Sequence, residues 1–281
     1  MTSVANRLPL TELRKKSYEM KNREKWAPSK FEYRRGKLIG SRDLKEVSVG
    51  SRLMVDIIAR YYEAHIKDHV RGKLIDLGCG KVPLFGTYKD YVTDNVCVDW
   101  ENTYNKSEHL DYEGDLTKTL PFQEGEFDTI LLSDVLEHIP HPEEFWKEMS
   151  RILSNNGRLL MNVPFYYWVH EWPYDYYRYT EFALRRFAES SGLRVILLEP
   201  MGGVPEILAD ILAKNLMHLP KLGSPLATSI QQLTFAFIKT RLGEKISKRT
   251  SRRFPFAYFL IAEKSNQHNS IEEGVYFASK Q

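Results

Sequence analysis

Apolar and polar positions along the chain follow a pattern typical of strands and helices that alternate. Short apolar runs predict strands, and apolar residues that recur every three or four positions predict helices. The predicted strands are residues 73–77, 96–98, 127–133, 158–163, 193–198 and 256–263. The predicted helices include residues 49–66, a helix that begins at Pro142 and a helix that Thr180 caps. This alternation predicts an α/β fold with parallel strand pairing, in which ligands bind at the carboxyl ends of the strands.

The same pattern divides the chain into five parts. Residues 1–50 are polar and basic, and we expect a partly helical arm that packs on the main domain or over its cleft. Residues 51–203 form the predicted core, and residues 204–255 have the pattern of a helical insertion or cap that ends in a basic run. Residues 256–265 predict the last core strand, and residues 266–281 a C-terminal tail.

Length, charge and cysteine content narrow the class of protein. The chain has 281 residues and a formal net charge of +3, which does not indicate a nucleic-acid-binding surface. The two cysteines, Cys79 and Cys97, lack the spacing of metal ligands or of a disulfide framework. Because neither a signal sequence nor an uncharged stretch of membrane-spanning length is visible, we expect a cytoplasmic protein.

The first predicted strand ends in a glycine turn, Asp-Leu-Gly-Cys-Gly at residues 76–80, and the second strand ends in Asp99. Glycines let backbone N–H groups approach a ligand closely, and a carboxylate after the second strand can accept hydrogen bonds from a ribose. A dinucleotide fingerprint needs a third glycine, but this turn continues with Val82 and Pro83, and proline has no N–H to donate. The pattern favours a nucleoside-bearing cofactor without pyrophosphate and disfavours a nicotinamide-dependent oxidoreductase.

The glycine turn resembles the first motif of class I S-adenosylmethionine-dependent methyltransferases, although Val82 stands where that family often has a third glycine. Three further strand-end motifs follow in the family's order, and residues 127–140 are similar to the fourth motif of the type 11 subgroup. The resemblance implies S-adenosyl-L-methionine as cofactor. It implies these cofactor-binding residues: Asp76, Gly78, Cys79, Gly80, Asp99, Trp100, Asp115, Leu116 and Ser133.

The resemblance also implies a fold and a role for each motif. The fold is a mostly parallel, seven-stranded Rossmann-like sheet with helices on both faces, here with an N-terminal helical arm and a helical insertion before the last strand. Asp99 is expected to bind the ribose, Trp100 to pack on the adenine, Asp115 to accept from the adenine amine, and the backbone of Ser133 to face the methionine end. Each of these residues alone is equally consistent with an ordinary turn or cap, whereas their joint occurrence favours cofactor binding.

An aromatic segment with interleaved charges, residues 164–180, follows the fifth predicted strand. Methyl transfer to oxygen needs a nucleophile aligned with the carbon–sulfur bond and a base for its proton, and His138 and His170 are the predicted bases. Aromatic rings suit sugars or flat rings, and an arginine suits a carboxylate or phosphate. The predicted substrate-binding residues are Tyr174, Asp175, Tyr177 and Arg178.

Residues 173–180 are also similar to type 11 members associated with glycan and surface-polysaccharide pathways. The sequence therefore predicts O-methylation of a sugar or glycan-pathway intermediate. A small aromatic or carboxylate-bearing metabolite is the alternative acceptor, and a non-catalytic S-adenosylmethionine-binding protein is the alternative class.

Two further features bear on metals and partners. Glu137, His138 and His141 could be read as metal ligands, but Pro140 separates the histidines and no further cysteine or histidine cluster is near, so no metal is predicted. Residues 230–255 combine apolar positions with a basic run, which predicts either peripheral contact with a membrane or a homodimer interface. A nucleic-acid partner is disfavoured.

Overall fold

The computed structural model describes residues 20–100 and 108–265. Residues 1–19 of the predicted arm and the predicted tail, 266–281, lie outside the described residues. The described strands and α-helices are β1 (Phe31–Arg34), β2 (Lys37–Gly40), α1 (Arg52–His69), β3 (Gly72–Leu77), α2 (Phe85–Tyr88), β4 (Val92–Asp99), β5 (Tyr112–Glu113), β6 (Phe127–Ser133), α3 (Pro142–Ile152), β7 (Leu153–Pro164), α4 (Glu181–Ser190), β8 (Leu193–Met201), α5 (Val204–Leu216), α6 (Gly223–Ile238), α7 (Arg241–Ser251) and β9 (Ala257–Lys264).

Seven strands form one sheet in the order β5-β4-β3-β6-β7-β9-β8, as predicted for a class I methyltransferase fold. Among the described strands of this sheet only β9 runs antiparallel to its neighbours, β7 and β8. The chain builds β4 and β5 on one side of β3 and then crosses to β6 on the other side. The strand order therefore reverses beside β3, and the carboxyl ends of β3 and β6 border the crevice in which such folds bind ligands.

Helices cover both faces of the sheet, because its central strands are apolar on both sides. Ile130 and Leu131 are neighbours on β6 that face opposite ways, and both are fully buried. On one face Tyr62 of α1 packs edge-on against Phe259 of β9, with ring centroids 5.2 Å apart. On the other face Trp146 of α3 is fully buried and stacks near Phe187 of α4.

The described part of the arm contains a β-hairpin that the sequence did not predict, and its helical content is two 3-10 turns, Arg23–Lys25 and Val49–Ser51. Strand β1 pairs antiparallel with β2, and the two turn residues, Arg35 and Gly36, both have positive φ, at 53° and 75°. Positive φ at both central residues is the requirement of a tight two-residue hairpin turn. On β2 the buried Leu38 and Gly40 alternate with the partly exposed Ile39, a period of two that a helix cannot provide, and Phe31 of β1 is buried as well.

One predicted element boundary was also wrong. The sequence predicted that the turn at residues 155–157 ends helix α3 and that the strand begins at Arg158. Instead the helix ends at Ile152, and Leu153 is already paired with Phe127 of β6. Leu153 is fully buried, so its burial fixes the start of β7, and the left-handed Asn156 (φ 60°) accommodates the irregular register that follows.

Helices α5, α6 and α7 lie between β8 and β9 in the chain. The α6 helix is tied to the core by Gln231, which donates to the carbonyl of Gly50 and accepts from the backbone N–H of Leu53. Leu53 lies in the first turn of α1, so α6 packs near the start of that helix. Within residues 20–100 and 108–265, none of the helices is both long and apolar enough to cross a membrane.

Candidate functional site

The glycine turn at the end of β3 brings backbone close to the neighbouring strand end. Gly78 has φ 71°, and a Cβ at this position would overlap the side chain of Val135, which follows β6. The backbone N–H of Gly78 donates to the carbonyl of Val98 on β4. Only glycine fits both the left-handed backbone and the close approach, so this position forms a backbone-lined wall beside Asp76.

Val82, where the family often has a third glycine, adopts the backbone that a glycine would favour. Its φ is 50°, and its side chain is fully buried in the core. A valine in the left-handed region is strained, and surrounding contacts must hold it there. Its carbonyl oxygen accepts a hydrogen bond of 3.0 Å from the indole N–H of Trp26, in the arm. The arm therefore fixes the turn at the place where the sequence departs from the family.

Asp99 at the end of β4 closes the turn from the opposite side. Its Oδ2 accepts from the backbone N–H of Gly80 at 2.8 Å, and its Oδ1 accepts from that of Trp100 at 2.8 Å. The Trp100 ring packs edge-on against Tyr174, with centroids 4.8 Å apart. Each oxygen of a carboxylate can accept more than one hydrogen bond, and the indole beside Asp99 offers a flat apolar face.

The loop after β5 brings Asp115 and Leu116 to the same region. Oδ1 of Asp115 accepts from both the backbone N–H and the hydroxyl of Thr117, so this carboxylate also has a structural role as a loop cap. Burial disfavours its charged form, but the hydrogen bonds from Thr117 lower its pKa below the ordinary value. Asp115 therefore stays ionised, with its second oxygen available to accept from a ligand.

The end of β6 is held by a network around Asn162. Its Oδ1 accepts from the hydroxyls of Tyr62 and Ser133, each at 2.8 Å, and its amide donates to Asp134. Asp134 has φ 53° and forms an ion pair of 2.6 Å with Lys30. Burial opposes the charge on Lys30, but Asp134 raises its pKa above the ordinary value. The arm thus reaches the carboxyl end of β6 through a lysine that sequence reasoning did not single out.

All nine residues predicted to bind the cofactor line a single cleft of about 520 Å³ at the carboxyl ends of the strands. That volume lies within the range typical of small-molecule sites, which is roughly 300–1,000 Å³. The lining combines a Cβ-free backbone at Gly78 with two carboxylates, Asp76 and Asp99, and an indole at Trp100. Such a lining fits a purine nucleoside with a positively charged tail, because the carboxylates attract the charge and the indole covers the ring.

Asp76 is the most perturbed carboxylate of the cofactor set. Burial, followed by repulsion from the Asp99 carboxylate, raises its pKa to about 7. A group in this state is protonated or ionised according to small changes in pH. A cationic ligand in the cleft would favour the ionised form, so Asp76 couples ligand binding to proton release.

The two predicted bases lie together with a buried carboxylate. The rings of His138 and His170 are 4.9 Å apart, and Oε1 of Glu137 lies 3.7 Å and 3.9 Å from their Nε2 atoms. Burial, and then the charge of Asp134, raise the pKa of Glu137 well above its usual range. Burial and the proximity of His138 lower the pKa of His170. His138 lines the cleft, whereas His170 does not.

Of the four residues predicted to bind the acceptor, Tyr174 alone lines the cleft. Arg178 donates from Nη2 to Oδ2 of Asp175 at 2.7 Å, so its guanidinium is engaged within the chain. Burial opposes ionisation of Asp175, but hydrogen bonds from Arg178 and His170 lower its pKa to about 2. The Tyr177 hydroxyl donates to the carbonyl of Pro140. Asp175, Tyr177 and Arg178 thus support the segment that carries Tyr174.

Several cleft residues were not predicted from the sequence. They are polar or aromatic and come from the arm, from the β6 end and from the aromatic segment: Ser29, Lys30, Glu46, Asp134, Tyr167, Glu171 and Tyr176. The basic character of the arm and the density of aromatic residues in 164–180 were visible signals. Neither signal told which side chains face the cleft, because that depends on how the hairpin and the segment pack.

Known proteins resemble the chain most clearly in the core. A family model described as a methyltransferase domain, of type 11, matches residues 75–161. An uncharacterized protein from a Streptomyces fradiae transposon is 29% identical over 145 residues, which are 46% of this chain and 42% of that protein. The chain thus matches about two fifths of the length of this relative.

Two solved structures illustrate the similarity in fold. An S-adenosylmethionine-dependent methyltransferase from Archaeoglobus fulgidus has 17% identity and a TM-score of 0.46, covering 80% of this chain and 95% of its own. A chain of the complex between the Haloferax volcanii Trm112 methyltransferase activator and its methyltransferase has 18% identity and a TM-score of 0.48, covering 75% and 90%. The family match spans β3 to β7, the strands whose ends form the cleft. The chain therefore carries an S-adenosylmethionine-dependent methyltransferase domain, in which residues 75–161 match the type 11 family model.

Proposed function

We propose that the chain transfers the methyl group of S-adenosylmethionine to a hydroxyl oxygen of a sugar or glycan-pathway intermediate. The observation that carries this proposal is the set of residues that line the cleft outside the predicted cofactor-binding residues. Three tyrosines, Tyr167, Tyr174 and Tyr176, line it together with the imidazole of His138. Aromatic faces pack against the apolar faces of sugar rings, and interleaved polar groups bind hydroxyls.

We further propose that the nine predicted residues bind the cofactor along the strand ends. Asp99 would accept from the ribose hydroxyls, Trp100 would cover the adenine, and Asp115 would accept from its amine. Asp76 and the backbone near Ser133 would hold the charged methionine end. The adjacency of β3 and β6 supports this assignment, because Asp76 pairs with Leu131, two residues before Ser133.

The charge pattern supports a neutral hydroxyl over a carboxylate as the acceptor. Arg178, the residue predicted for a carboxylate, is engaged by Asp175. Lys30, the lysine nearest to the β6 end of the cleft, is paired with Asp134. A free carboxylate acceptor would have to compete with these short ion pairs, whereas a hydroxyl can donate to Asp134 or Glu171 without breaking them. A small aromatic metabolite with a hydroxyl remains compatible with the tyrosines and is the second candidate.

The reaction is an in-line displacement. The acceptor oxygen forms a bond to the methyl carbon, the carbon–sulfur bond breaks, and its electron pair stays on sulfur as S-adenosylhomocysteine. The acceptor hydroxyl also loses a proton, which needs a group at this end of the cleft. A free imidazole at His138 would accept the proton directly, whereas a metal ion held by that imidazole would lower the pKa of the hydroxyl.

A membrane-embedded acceptor is supported by the surface of α6 and α7. Leu226, Leu233 and Phe237 are exposed and lie on one face of α6, at spacings of seven and four residues. Seven basic side chains after them are also exposed: Lys239, Arg241, Lys245, Lys248, Arg249, Arg252 and Arg253. The other predicted apolar residues of this segment, Ile230, Phe235 and Ile238, pack toward the core. An exposed apolar face beside basic residues favours an anionic lipid surface, which fits a lipid-linked glycan.

The test is a transfer assay with methyl-labelled S-adenosylmethionine and cell extract separated into aqueous and lipid fractions. We expect label in a glycan or glycolipid component that resists mild base, because an ether bond survives conditions that cleave methyl esters. Label that mild base releases would identify a carboxylate acceptor and contradict the proposal. The Asp99→Ala variant is the matched control. Because this variant should bind S-adenosylmethionine weakly, it should not transfer label to the acceptor.

A further inference from the structure

A cluster of one buried carboxylate and two partly buried histidines, next to the cleft, has the make-up of a metal site. We propose that Glu137, His138 and His170 bind one divalent first-row transition-metal ion, with zinc as the best match. One ligand atom from each residue lies within 4.8 Å of the other two. The binding of the ion stands on this geometry alone, while its action on an acceptor hydroxyl rests on the function proposed above.

The carboxylate of Glu137 is the first indication, because its side chain is fully buried and has no hydrogen-bond partner at either oxygen. The Nε2 atom of His138 is likewise buried and unpartnered. Leaving such groups buried without partners lowers stability, and more so when one of them is charged. The neighbours that face the carboxylate are the two imidazole nitrogens, at 3.7 Å and 3.9 Å, too far for hydrogen bonds. A cation between them would satisfy all three.

The hydrogen bonds of both histidines favour the tautomer in which Nδ1 carries the proton and Nε2, which lies near Glu137, can bind a metal ion. Nδ1 of His138 lies 3.0 Å from the carbonyl oxygen of Tyr174, which can only accept, so Nδ1 carries the proton and Nε2 presents its lone pair. Nδ1 of His170 lies 3.2 Å from Oδ2 of Asp175. Metal-binding histidines are typically held by a carbonyl or carboxylate at the other ring nitrogen. Asp175 and Arg178, predicted as substrate residues, thus become the groups that orient His170.

The separations agree with a shared ion. Two ligands bound to zinc at about 2.1 Å in a tetrahedral site are about 3.4 Å apart. The separations of 3.7 Å and 3.9 Å between Glu137 and the two histidines need shifts of a few tenths of an ångström to reach that value. The two histidine nitrogens, which lie within 4.8 Å of each other, must approach by up to about 1.4 Å. The two histidines and the carboxylate leave one tetrahedral position, which is the pattern of catalytic rather than structural zinc sites.

The open position faces the cleft. His138 lines it, and so does Glu171, whose half-exposed carboxylate lies 3.7 Å from Nε2 of His138. An acceptor hydroxyl bound to the ion would have a lowered pKa and could give its proton to Glu171 or to water. In this arrangement the histidines are ligands and not bases.

The sequence analysis missed this set of three ligands because His170 comes from the aromatic segment. His141, which the sequence analysis had considered instead, is exposed and lies outside the cluster.

The test uses tag-free protein that has been stripped with a chelator and then titrated with Co²⁺ alone. We expect one ion per chain by elemental analysis and visible bands of four- or five-coordinate Co²⁺, which Zn²⁺ should displace. His170→Ala and His138→Ala should weaken Co²⁺ binding at least tenfold. Asp175→Asn should weaken it by about 10–100-fold through the orientation of His170. His141→Ala, three residues from His138 and outside the cluster, is the matched control and should bind normally.

Failure to bind Co²⁺, or full binding by a folded His170→Ala variant, would overturn the site. Circular dichroism identifies variants that do not fold, and Glu171→Gln, at a half-exposed position, then supplies a second probe because it should alter the Co²⁺ bands. The site and the function fail separately. If methyl transfer continues unchanged in the presence of chelator, the ion takes no part in the reaction, and the imidazole of His138 is the base. If the protein binds the ion but labels no acceptor, the proposed function is contradicted and the proposed metal site stands.

Discussion

The indole N–H of Trp26 donates a hydrogen bond to the carbonyl oxygen of Val82, across 56 positions of sequence and at 3.0 Å. The same ring packs edge-on against Phe85, with centroids 5.3 Å apart. The arm therefore holds the strained turn that borders the cofactor cleft, and it does so at the one position where this turn lacks the family's glycine. The arm is therefore part of the wall of the cleft, which its residues Ser29, Lys30 and Glu46 also line.

Trp26→Phe removes the hydrogen bond and keeps most of the ring. Because the freed Val82 carbonyl leaves the turn less constrained, we expect cofactor affinity to fall about fivefold, equivalent to roughly 1 kcal/mol. Calorimetric titration with S-adenosylmethionine measures this change. Trp168→Phe, at an exposed ring outside this turn, is the control. Equal affinities in the two variants would show that the arm does not restrain the turn.

Gly78→Ala should disrupt both the fold and the cofactor site. The substitution places a Cβ at φ 71° and into the side chain of Val135. We expect a loss of roughly 2–4 kcal/mol in unfolding free energy, since the left-handed backbone alone costs about 1–2 kcal/mol. Gly192→Ala is the matched control, because Gly192 has φ 78° but nothing within 4 Å of an added Cβ. Chemical denaturation of both variants separates the cost of the overlap with Val135 from the cost of the backbone conformation. Equal losses of unfolding free energy would mean that the Val135 side chain moves aside without an energetic cost.

Asp99→Ala tests the ribose assignment. It removes the predicted acceptor of two ribose hydrogen bonds and also the partner of the Gly80 N–H. We expect S-adenosylmethionine to bind more weakly by roughly 2–4 kcal/mol, or about 30- to 1,000-fold. Asp90→Ala, at an exposed position before β4, should bind normally. Unchanged affinity in Asp99→Ala would end the assignment.

Cofactor affinity should depend on pH through Asp76, whose pKa is about 7 in the free protein. A positively charged cofactor favours the ionised carboxylate, so below pH 7 each binding event must release a proton. We expect the dissociation constant to rise by up to tenfold per pH unit below 7 and to be nearly constant above 8. Calorimetry in buffers with different ionisation heats counts the proton directly.

Asp76→Asn is the control for this dependence, and it also tests the pKa itself. In the free protein the folded state keeps the proton up to about pH 7, while an unfolded aspartate releases it near pH 4. The folded state binds more protons in that window, so this group makes the unfolding free energy fall as pH rises from about 4 to 7. The variant should lose that part of the slope. Identical slopes in both proteins would contradict the raised pKa.

Binding to anionic vesicles should depend on the exposed face of α6. Leu233→Ser with Phe237→Ser removes apolar area without touching the core, because both side chains are exposed. We expect co-sedimentation with vesicles that contain phosphatidylserine to fall at least threefold and the binding to weaken with salt. Leu44→Ser, an exposed leucine in the arm, is the control. A dimer that dissociates in the double variant, without any vesicle binding by the original protein, would assign the face to a second copy of the chain.

The sequence by itself determined the sheet and the cofactor end of the cleft. The apolar runs at 73–77 and 127–133 are buried on both faces, and residues that follow such parallel strands necessarily meet at one edge. For this reason all nine predicted cofactor residues line one cleft, although they span residues 76–133. The sequence also showed that Val82 stands where the family often has a third glycine. The structure adds that this valine adopts the left-handed backbone that a glycine would favour.

Only the tertiary structure decided the acceptor end. The hairpin of the arm, the engagement of Arg178 by Asp175, and the meeting of His170 with Glu137 depend on how irregular segments pack. Such packing follows no period in the sequence, because each contact joins residues distant along the chain. Both histidines of the cluster were singled out from the sequence, but their proximity was not. His141 is nearer to His138 in the chain, whereas His170 lies beside it in the fold.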